Sequence, residues 1–285
     1  LIYSIFTSSL NGSEDTGLTL TNVGPQTVFV HLFLIDGRSC TVADFFSCLS
    51  PAQTTFWLAS ELDPGVTGYV VALATNQNGL PLSFNYLFGT SKVKFTSGYS
   101  ADLPALAFSA LYPDRTVLPG VNQLDTTAEL KLDGQMYSLS PVTLSINNLV
   151  SPVDNNSTLL ILNPVGGDLS EGAPVNLLNG ISGLVYDERE RPYSFISPTQ
   201  TCQIREVLRD GYPRIPNGLS RVIPSGVSGT VRFSDIRGTP IMGAMINYNP
   251  NVLTSFKAFN QGHILHHLNY TNKAVYKVPI IRPTF

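Results

Sequence analysis

The sequence has few charged residues, and this scarcity constrains its function first. Lys and Arg total 17 and Asp and Glu total 20 among 285 residues, so that charged residues make up 13%, about half the usual share of soluble domains. Since a monomer needs surface charge for solubility, a surface rich in uncharged polar residues favours an exported protein partly covered by neighbouring molecules. The formal net charge of -3 disfavours nucleic acid as a partner, because nucleic-acid binding needs a concentrated basic patch.

Long apolar runs and an initiating methionine are also missing. No uncharged apolar run approaches the roughly 20 residues of a membrane helix, so no membrane span is predicted. The chain begins with Leu1, which favours a mature product whose export signal has been removed; an excerpt from a longer chain would begin in the same way. Together these features predict a secreted protein, extracellular or at the cell surface.

Cysteine is scarce, with three residues in the chain. Cys40 and Cys48 flank residues 41–47, a length that readily closes a hairpin-like loop. In an oxidising compartment we therefore predict a Cys40–Cys48 disulfide, with Cys202 left over and either buried or bonded to another chain. The alternative is three buried reduced thiols. No Cys-x-x-Cys pair exists and no histidine lies near these cysteines in sequence, which disfavours a zinc site.

Recognisable catalytic motifs are absent as well. The sequence contains no Gly-x-Ser-x-Gly elbow and no phosphate-cradling glycine loop that leads into a helix. The run His263-Ile264-Leu265-His266-His267 suggests a metal site, but no acidic residue lies within ten positions of it, so a surface or packing role is favoured. We therefore predict no catalytic, cofactor-binding or metal-binding residues and no enzymatic activity. A hydrolase with carboxylates scattered through the sequence is the remaining alternative.

Glycine and proline, by contrast, are abundant and evenly spread. The 23 glycines and 20 prolines fall between short apolar runs, which is typical of many short strands joined by turns. Charged and helix-forming stretches are short. The composition therefore predicts an all-β protein.

One motif occurs twice, and other matches follow it in the same order. Gly65-Val66-Thr67-Gly68 and Gly226-Val227-Ser228-Gly229 each follow a proline and lead into a strand-like run. The spacing between matched residues rises along the chain through 141, 151, 154 and 161 for Asn22/Asn163, Asp36/Asp187, Cys48/Cys202 and Gly65/Gly226. An internal duplication with insertions in the second copy would produce this order.

The repeat predicts the domain organisation. We expect two tandem β-sandwich domains of Ig-like or Greek-key type, residues 1–139 and residues 140–285, the second a diverged copy of the first. Strand register should place Gly65 over Gly226 and Asn22 over Asn163.

Several short strings give the chain a resemblance to a known group. They are Ser83–Leu87, Thr96–Gly98, Ala258–His263 and the segment Val30–Phe33 running into Asp36–Cys40. With these strings the chain resembles, along most of its length, a family of secreted bacterial all-β proteins that have no characterised activity. The resemblance implies export and a bacterial source, and it brings no catalytic residue.

The leading functional hypothesis is a structural one. Low charge, a duplicated β body and the lack of a catalytic motif favour an exported subunit that self-assembles with its own copies into a fibre, tube or layer. The apolar segment Leu1, Ile2, Tyr3, Ile5 and Phe6 is the candidate assembly strand, which would pair with the open edge of the next subunit. The alternative is that this segment forms the first strand of its own domain.

The second hypothesis is a secreted adhesion module that binds carbohydrate or a cell surface. Loops such as Asn76–Leu80 and Ile236–Pro240 would then contact cell-surface glycans, with aromatic side chains exposed on one rim.

Overall fold

A computed structural model describes residues 1–122, 124–170, 172–173 and 175–283. Strands account for 54% of the residues and helices for 4%, which confirms the all-β prediction. The helices α1 (Ala59–Leu62) and α2 (Leu219–Val222) have four residues each, and a 3₁₀ turn spans Pro152–Asp154. In the described ranges no helix has the length and apolar character needed to cross a membrane.

Nine strands precede residue 140 and eleven follow it. The first nine are β1 Ile2–Thr7, β2 Asp15–Asn22, β3 Val28–Asp36, β4 Val42–Leu49, β5 Thr54–Leu58, β6 Thr67–Thr75, β7 Leu87–Lys94, β8 Ser100–Pro104 and β9 Thr127–Leu132. The others are β10 Ser140–Val150, β11 Ser157–Pro164, β12 Gly167–Asp168, β13 Leu178–Tyr186, β14 Pro192–Thr201, β15 Ile204–Leu208, β16 Ser228–Asp235, β17 Ile241–Tyr248, β18 Gln261–Ile264, β19 His266–Thr271 and β20 Ala274–Pro279.

These strands form five small sheets. Sheet I has the order β1-β6-β3-β4, sheet II β5-β2-β7-β8, sheet III β15-β11-β17-β18, sheet IV β14-β13-β16-β10-β19 and sheet V β12-β20-β9. Neighbouring strands are antiparallel except for β12 and β20. In the described ranges no sheet is built from consecutive strands alone, so each sheet contains a crossover.

The prediction of two tandem β-sandwich domains is wrong, because the five small sheets are arranged as a five-bladed β-propeller. Two features of the packing separate the structure from the predicted arrangement. Sheet V pairs β9 with β20 and so combines the two predicted domains in one sheet. Two of the four hydrophobic clusters also draw side chains from both sides of residue 140. The division into residues 1–139 and 140–285 stays a prediction.

The strand order nevertheless repeats along the chain. Sheet I read as β4-β3-β6-β1 matches four strands of sheet IV read as β14-β13-β16-β10, and sheet II matches sheet III strand for strand. In both places a four-residue helix and a proline precede a glycine in the left-handed region, Gly65 at φ 83° and Gly226 at φ 78°. Only glycine adopts this backbone without strain, so the repeated motif has a shared local cause.

The expected match of Asn22 with Asn163 is wrong by one residue. Asn22 lies on the same side of β2 as Leu18 and Leu20, which pack in the cluster shared by sheets I and II. Asn163 lies on the same side of β11 as Ile161, which packs in the cluster between sheets II and III. Because side chains alternate along a strand, a shift of one residue moves a side chain to the opposite face. Thr19, and not Leu20, therefore corresponds to Ile161.

Sheets I and III are buried on both faces, whereas sheets II and IV each keep one face in solvent. One cluster fills the space between sheets I and II, and another fills the space between sheets III and IV. A third joins the β7–β8 side of sheet II to sheet III, and a fourth packs sheet V on sheet I. Each of the five sheets therefore packs against at least one other sheet through one of these clusters.

The predicted assembly strand lies inside this core. Ile2, Tyr3, Ile5 and Phe6 are at most 2% exposed, and Leu1 packs on the cluster between sheets I and II. The strand pairs with β6, opposite Val71 and Gly68. The structure thus places residues 1–6 in their own sheet, as the alternative interpretation expected. Strand exchange would first have to remove four buried side chains from the core.

Candidate functional site

The disulfide differs from the predicted one. Cys40 is bonded to Cys202 with their Cα atoms 5.6 Å apart, and Cys48 is a free, exposed thiol. Cys40 lies in the turn between β3 and β4, whereas Cys48 lies on β4, six residues after the first residue of that strand, and pairs with Phe29. At about 3.4 Å per residue that separation is roughly 20 Å, far beyond the 4.4–6.8 Å that a disulfide spans. The Cys40–Cys48 prediction is therefore wrong, because the hairpin is longer than the loop that the spacing suggested.

A polar cleft, which we call the junction cleft, lies beside the Cys40–Cys202 bond, since Thr201 and Gln203 on either side of Cys202 both line it. Its volume is about 520 Å³, within the range usual for small-ligand sites. The turn after β3 forms one wall, and the end of β14, the start of β15 and the following turn form the other. The lining residues are Gly37, Arg38, Ser197, Pro198, Thr199, Gln200, Thr201, Gln203, Ile204, Arg205, Glu206 and Tyr212.

A buried amide network holds the floor of the cleft. The Nε2 group of Gln203 donates to Asn163 Oδ1 at 2.8 Å, and Asn163 Nδ2 donates to the backbone oxygen of Ser4 at 2.8 Å. Gln203 Oε1 is buried without a hydrogen-bond partner in the described part of the chain. Since β1 supplies Ser4, this network joins the first strand to the cleft.

Glycine at position 37 allows the two walls to meet. A Cβ atom there would lie 2.8 Å from Gln203 Oε1 and 2.9 Å from Gln203 Cβ, closer than real Cβ contacts. The hydroxyl of Thr201 donates to the Gly37 carbonyl at 3.3 Å. A larger residue at position 37 would push the turn away from the β14–β15 wall.

Two arginines and one carboxylate give the cleft its charge. In the described residues no carboxylate forms an ion pair with Arg38 or Arg205. Partial burial lowers the pKa of the Arg205 guanidinium, while the carboxylates of Glu14 and Asp36 act in the opposite direction. Arginine remains cationic at neutral pH in either case. Both guanidinium groups are therefore free to donate to a ligand.

Tyr212 adds the one aromatic ring of the lining. Burial raises the pKa of its hydroxyl to about 12, the Ser197 side chain acts in the opposite direction, and the Glu206 carboxylate adds a smaller increase. The hydroxyl is thus protonated at neutral pH and can donate. The half-buried ring offers an apolar surface beside the polar walls.

The cleft can bind a polar ligand, and its residues do not form a familiar catalytic group. Guanidinium, amide and hydroxyl groups supply donors, and Glu206 and backbone carbonyls supply acceptors. Hydrolysis of a glycosidic bond by a carboxylate pair needs two carboxyl groups on either side of the bond, and Glu206 is the single carboxylate among the lining residues. The geometry therefore suits recognition better than hydrolysis.

The histidines do not form a metal centre. His263 lies on β18, in sheet III, and His266 and His267 lie on β19, in sheet IV. The rings of His263 and His266 are 5.8 Å apart. Over the described ranges no group of three His, Cys, Asp or Glu side chains could hold a metal ion. His31 is buried against Phe33 and Phe46, with its Nε2 atom 2.6 Å from Asp44 Oδ2.

A second polar group has the composition of a serine–lysine pair. Lys257 Nζ donates to Ser225 Oγ at 3.0 Å, and Ser225 donates to Asp154 Oδ1 at 2.6 Å. The Ser225 hydroxyl and the Gly226 amide hold the pKa of Asp154 below its usual range. A lysine acts as a base only when it is neutral, and a carboxylate within 4.0 Å favours the charged ammonium. This group braces a turn and shows no feature of a catalytic site.

The loops expected to bind glycans lie elsewhere. In the Asn76–Leu80 turn the Asn76 side chain accepts from the amides of Asn78 and Leu80. In the Ile236–Pro240 turn Asp235 accepts from the amides of Arg237 and Thr239. Neither loop lines the junction cleft. The cleft was missed because its two walls are about 160 residues apart in sequence. The uncharged polar run Ser197–Gln203 was the available signal.

Comparison with known proteins identifies no relative of the chain. No protein-family profile, curated protein or solved structure matches the chain. The function therefore has to be argued from the fold and the cleft.

Proposed function

We propose that the protein is a secreted binding protein that recognises carbohydrate in the junction cleft. The observation that carries the proposal is a 520 Å³ cleft lined by guanidinium, amide and hydroxyl groups beside one aromatic ring. Sugars present many hydroxyl groups that both donate and accept, and polar side chains of this kind complement them. The disulfide beside the cleft supports an oxidising, extracellular location.

Rigid walls also favour binding. The disulfide, the Thr201–Gly37 hydrogen bond and the Gln203–Asn163–Ser4 network hold the two walls before a ligand arrives. A cleft that is already formed avoids the entropic cost of ordering its walls on binding.

The test is an array of soluble oligosaccharides probed with the intact, oxidised protein, followed by calorimetry on those that bind. Arg205→Ala should weaken binding about 10- to 100-fold, because hydrogen bonds to charged groups contribute about 1.5–3 kcal/mol. Arg232→Ala is the matched control, since Arg232 lies over the Tyr186 ring on sheet IV and does not line the cleft. Absence of any bound sugar, or equal affinity of Arg205→Ala and the unaltered protein, would contradict the proposal.

Self-assembly stays a second hypothesis. The low charge content still favours a covered surface, but the candidate assembly strand is occupied within its own sheet. Size-exclusion chromatography of native material would detect long polymers if the hypothesis is correct and monomers or small oligomers if it is not.

A further inference from the structure

The outward face of sheet II carries three exposed aromatic rings. Phe56 on β5 is 61% exposed and Phe88 on β7 is 53% exposed. Tyr86, 38% exposed, precedes β7 and accepts a backbone hydrogen bond from Val23 at 2.8 Å. Strand alternation places Tyr86 and Phe88 on the same face. We call this surface, with Thr19, Thr21, Thr54 and Thr90, the ring face.

Phe56 lies along the sheet instead of standing away from it. A Cβ atom on Gly17 would be 2.6 Å from Cε2 of the Phe56 ring and 3.0 Å from its Cζ. The ring therefore rests over the one position on β2 that has no side chain. The sheet supports the ring from below, and solvent reaches its other side.

Ordered hydroxyl groups surround the rings. The Oγ1 atoms of Thr19 and Thr90 are 2.8 Å apart, and those of Thr21 and Thr54 are also 2.8 Å apart. Thr19 is the cross-strand neighbour of Phe56, and Thr21 is that of Phe88. Phe56 and Phe88 thus each have a threonine as their neighbour on β2.

Charge on this face is balanced. Across neighbouring strands Asp15 faces Lys94, and Lys92 faces Asp102. Lys92 is also the cross-strand neighbour of Gly17, over which the Phe56 ring lies. Because the two lysines each face an aspartate, these four charges sum to zero, and they give no net attraction to an acidic or basic partner.

We infer that the ring face binds a neutral polysaccharide chain. The C–H faces of sugar rings are apolar and carry partial positive charge, which complements the negative π face of an aromatic ring. Threonine hydroxyls exchange hydrogen bonds with the hydroxyls at the sugar edges. With strands about 4.8 Å apart and alternate residues about 6.7 Å apart, Phe56 and Phe88 are separated by roughly 12 Å. An extended chain of a few sugar units spans this distance.

The ring face shares no residue with the junction cleft, and the inference does not rest on the cleft binding sugar. The ring face would bind the length of a polymer, whereas the cleft would enclose a short oligosaccharide.

The experiment measures retention of the intact protein on microcrystalline cellulose and on chitin. Phe56→Ala and Phe88→Ala should each weaken retention about five- to tenfold, as expected for the loss of one aromatic contact. Gly17→Ala tests the positioning of Phe56, since the added Cβ displaces the ring without removing it, and we expect a smaller loss. Ile196→Ala, at an exposed site on the outward face of sheet IV, is the control and should retain normally.

The outcomes are distinguishable. Retention that falls in the phenylalanine variants but not in Arg205→Ala supports the ring face independently of the cleft. Absence of retention on both polymers, or equal retention of all variants, overturns the inference. Two further outcomes would also overturn the inference, provided that neither polymer retains the protein. If the protein binds phosphatidylcholine vesicles and Phe56→Ala does not, the face binds a membrane. If the protein forms dimers and Phe56→Ala does not, the face binds a second copy of the chain.

Discussion

Sheets II and III have the same strand order, but one face of sheet II lies in solvent whereas both faces of sheet III are buried. Along β2 the burial alternates residue by residue, whereas seven of the eight residues of β11 are buried. The outward side of sheet II carries Thr19 and Thr21 in solvent, and the equivalent side of sheet III carries Ile161 against the β7–β8 side of sheet II. A repeated strand order therefore does not imply a repeated surface, because one unit must cover part of the other.

In the other matched pair, sheets I and IV, the sheet from the first half of the chain is the enclosed one. Sheet I is buried on both faces, with Phe33 and Tyr69 packed against sheet V. Its counterpart, sheet IV, keeps Arg232 and Ile196 in solvent. Each half of the chain thus contributes one enclosed sheet and one sheet with a free face, and the free faces are where ligands can bind.

The largest effect should come from exchanging residues between the matched positions of sheets II and III. Ile161→Thr should destabilise the protein by about 2–4 kcal/mol, because it removes buried apolar surface and buries a hydroxyl group. Thr19→Ile should change the stability by less than about 1 kcal/mol, since Thr19 lies on the solvent face. Urea unfolding measures both. Equal costs would show that the two faces do not differ as described.

Removal of the link between the two regions should have the next largest effect. The double variant Cys40→Ala/Cys202→Ala should lose about 2–5 kcal/mol of stability, since a bond between residues 162 positions apart restricts the unfolded chain strongly. Cys48→Ala is the control and should lose less than about 0.5 kcal/mol. Peptide mapping without reduction should find the Cys40–Cys202 pair, and a Cys40–Cys48 peptide would contradict the structure.

The smallest effect concerns β19, the strand that sheet IV has and sheet I lacks. Burial lowers the pKa of His267, and His266 lowers it further. The unfolded chain, with a histidine pKa near 6.5, then binds the proton more readily than the folded protein. Stability should therefore fall as the pH decreases from about 7 through the folded-state pKa. His267→Gln should flatten this dependence between pH 7 and pH 5 in urea unfolding; an unchanged slope would show that His267 is not responsible.

Local features of the fold followed from residues near one another in sequence. The turn before β6 and the turn before β16 were predictable because each needs a glycine in the left-handed region, at Gly65 and Gly226. The alternation of β2 and the continuous apolar run of β11 were equally readable, since they reflect burial on one face or on two. The one-residue error between Asn22 and Asn163 arose because a matching residue type says nothing about which face it occupies.

The candidate sites were not predictable in the same way. Arg205 and Gly37 line one cleft only because β14, β15 and the turn after β3 meet in space. The sequence does not distinguish Phe56 from other aromatic strand residues, and only the structure shows that its ring lies over Gly17.

By itself the sequence determined an all-β chain, its turns, its repeated strand–glycine motif and the presence of a disulfide. These depend on backbone sterics, side-chain alternation and the redox chemistry of cysteine, all of which act over a few residues or follow from composition. Only the tertiary structure decided that Cys40 pairs with Cys202, that β1 stays in its own sheet, and that sheets II and IV keep free faces. Those choices depend on which apolar faces bury one another, and that burial free energy is gained between residues far apart in sequence.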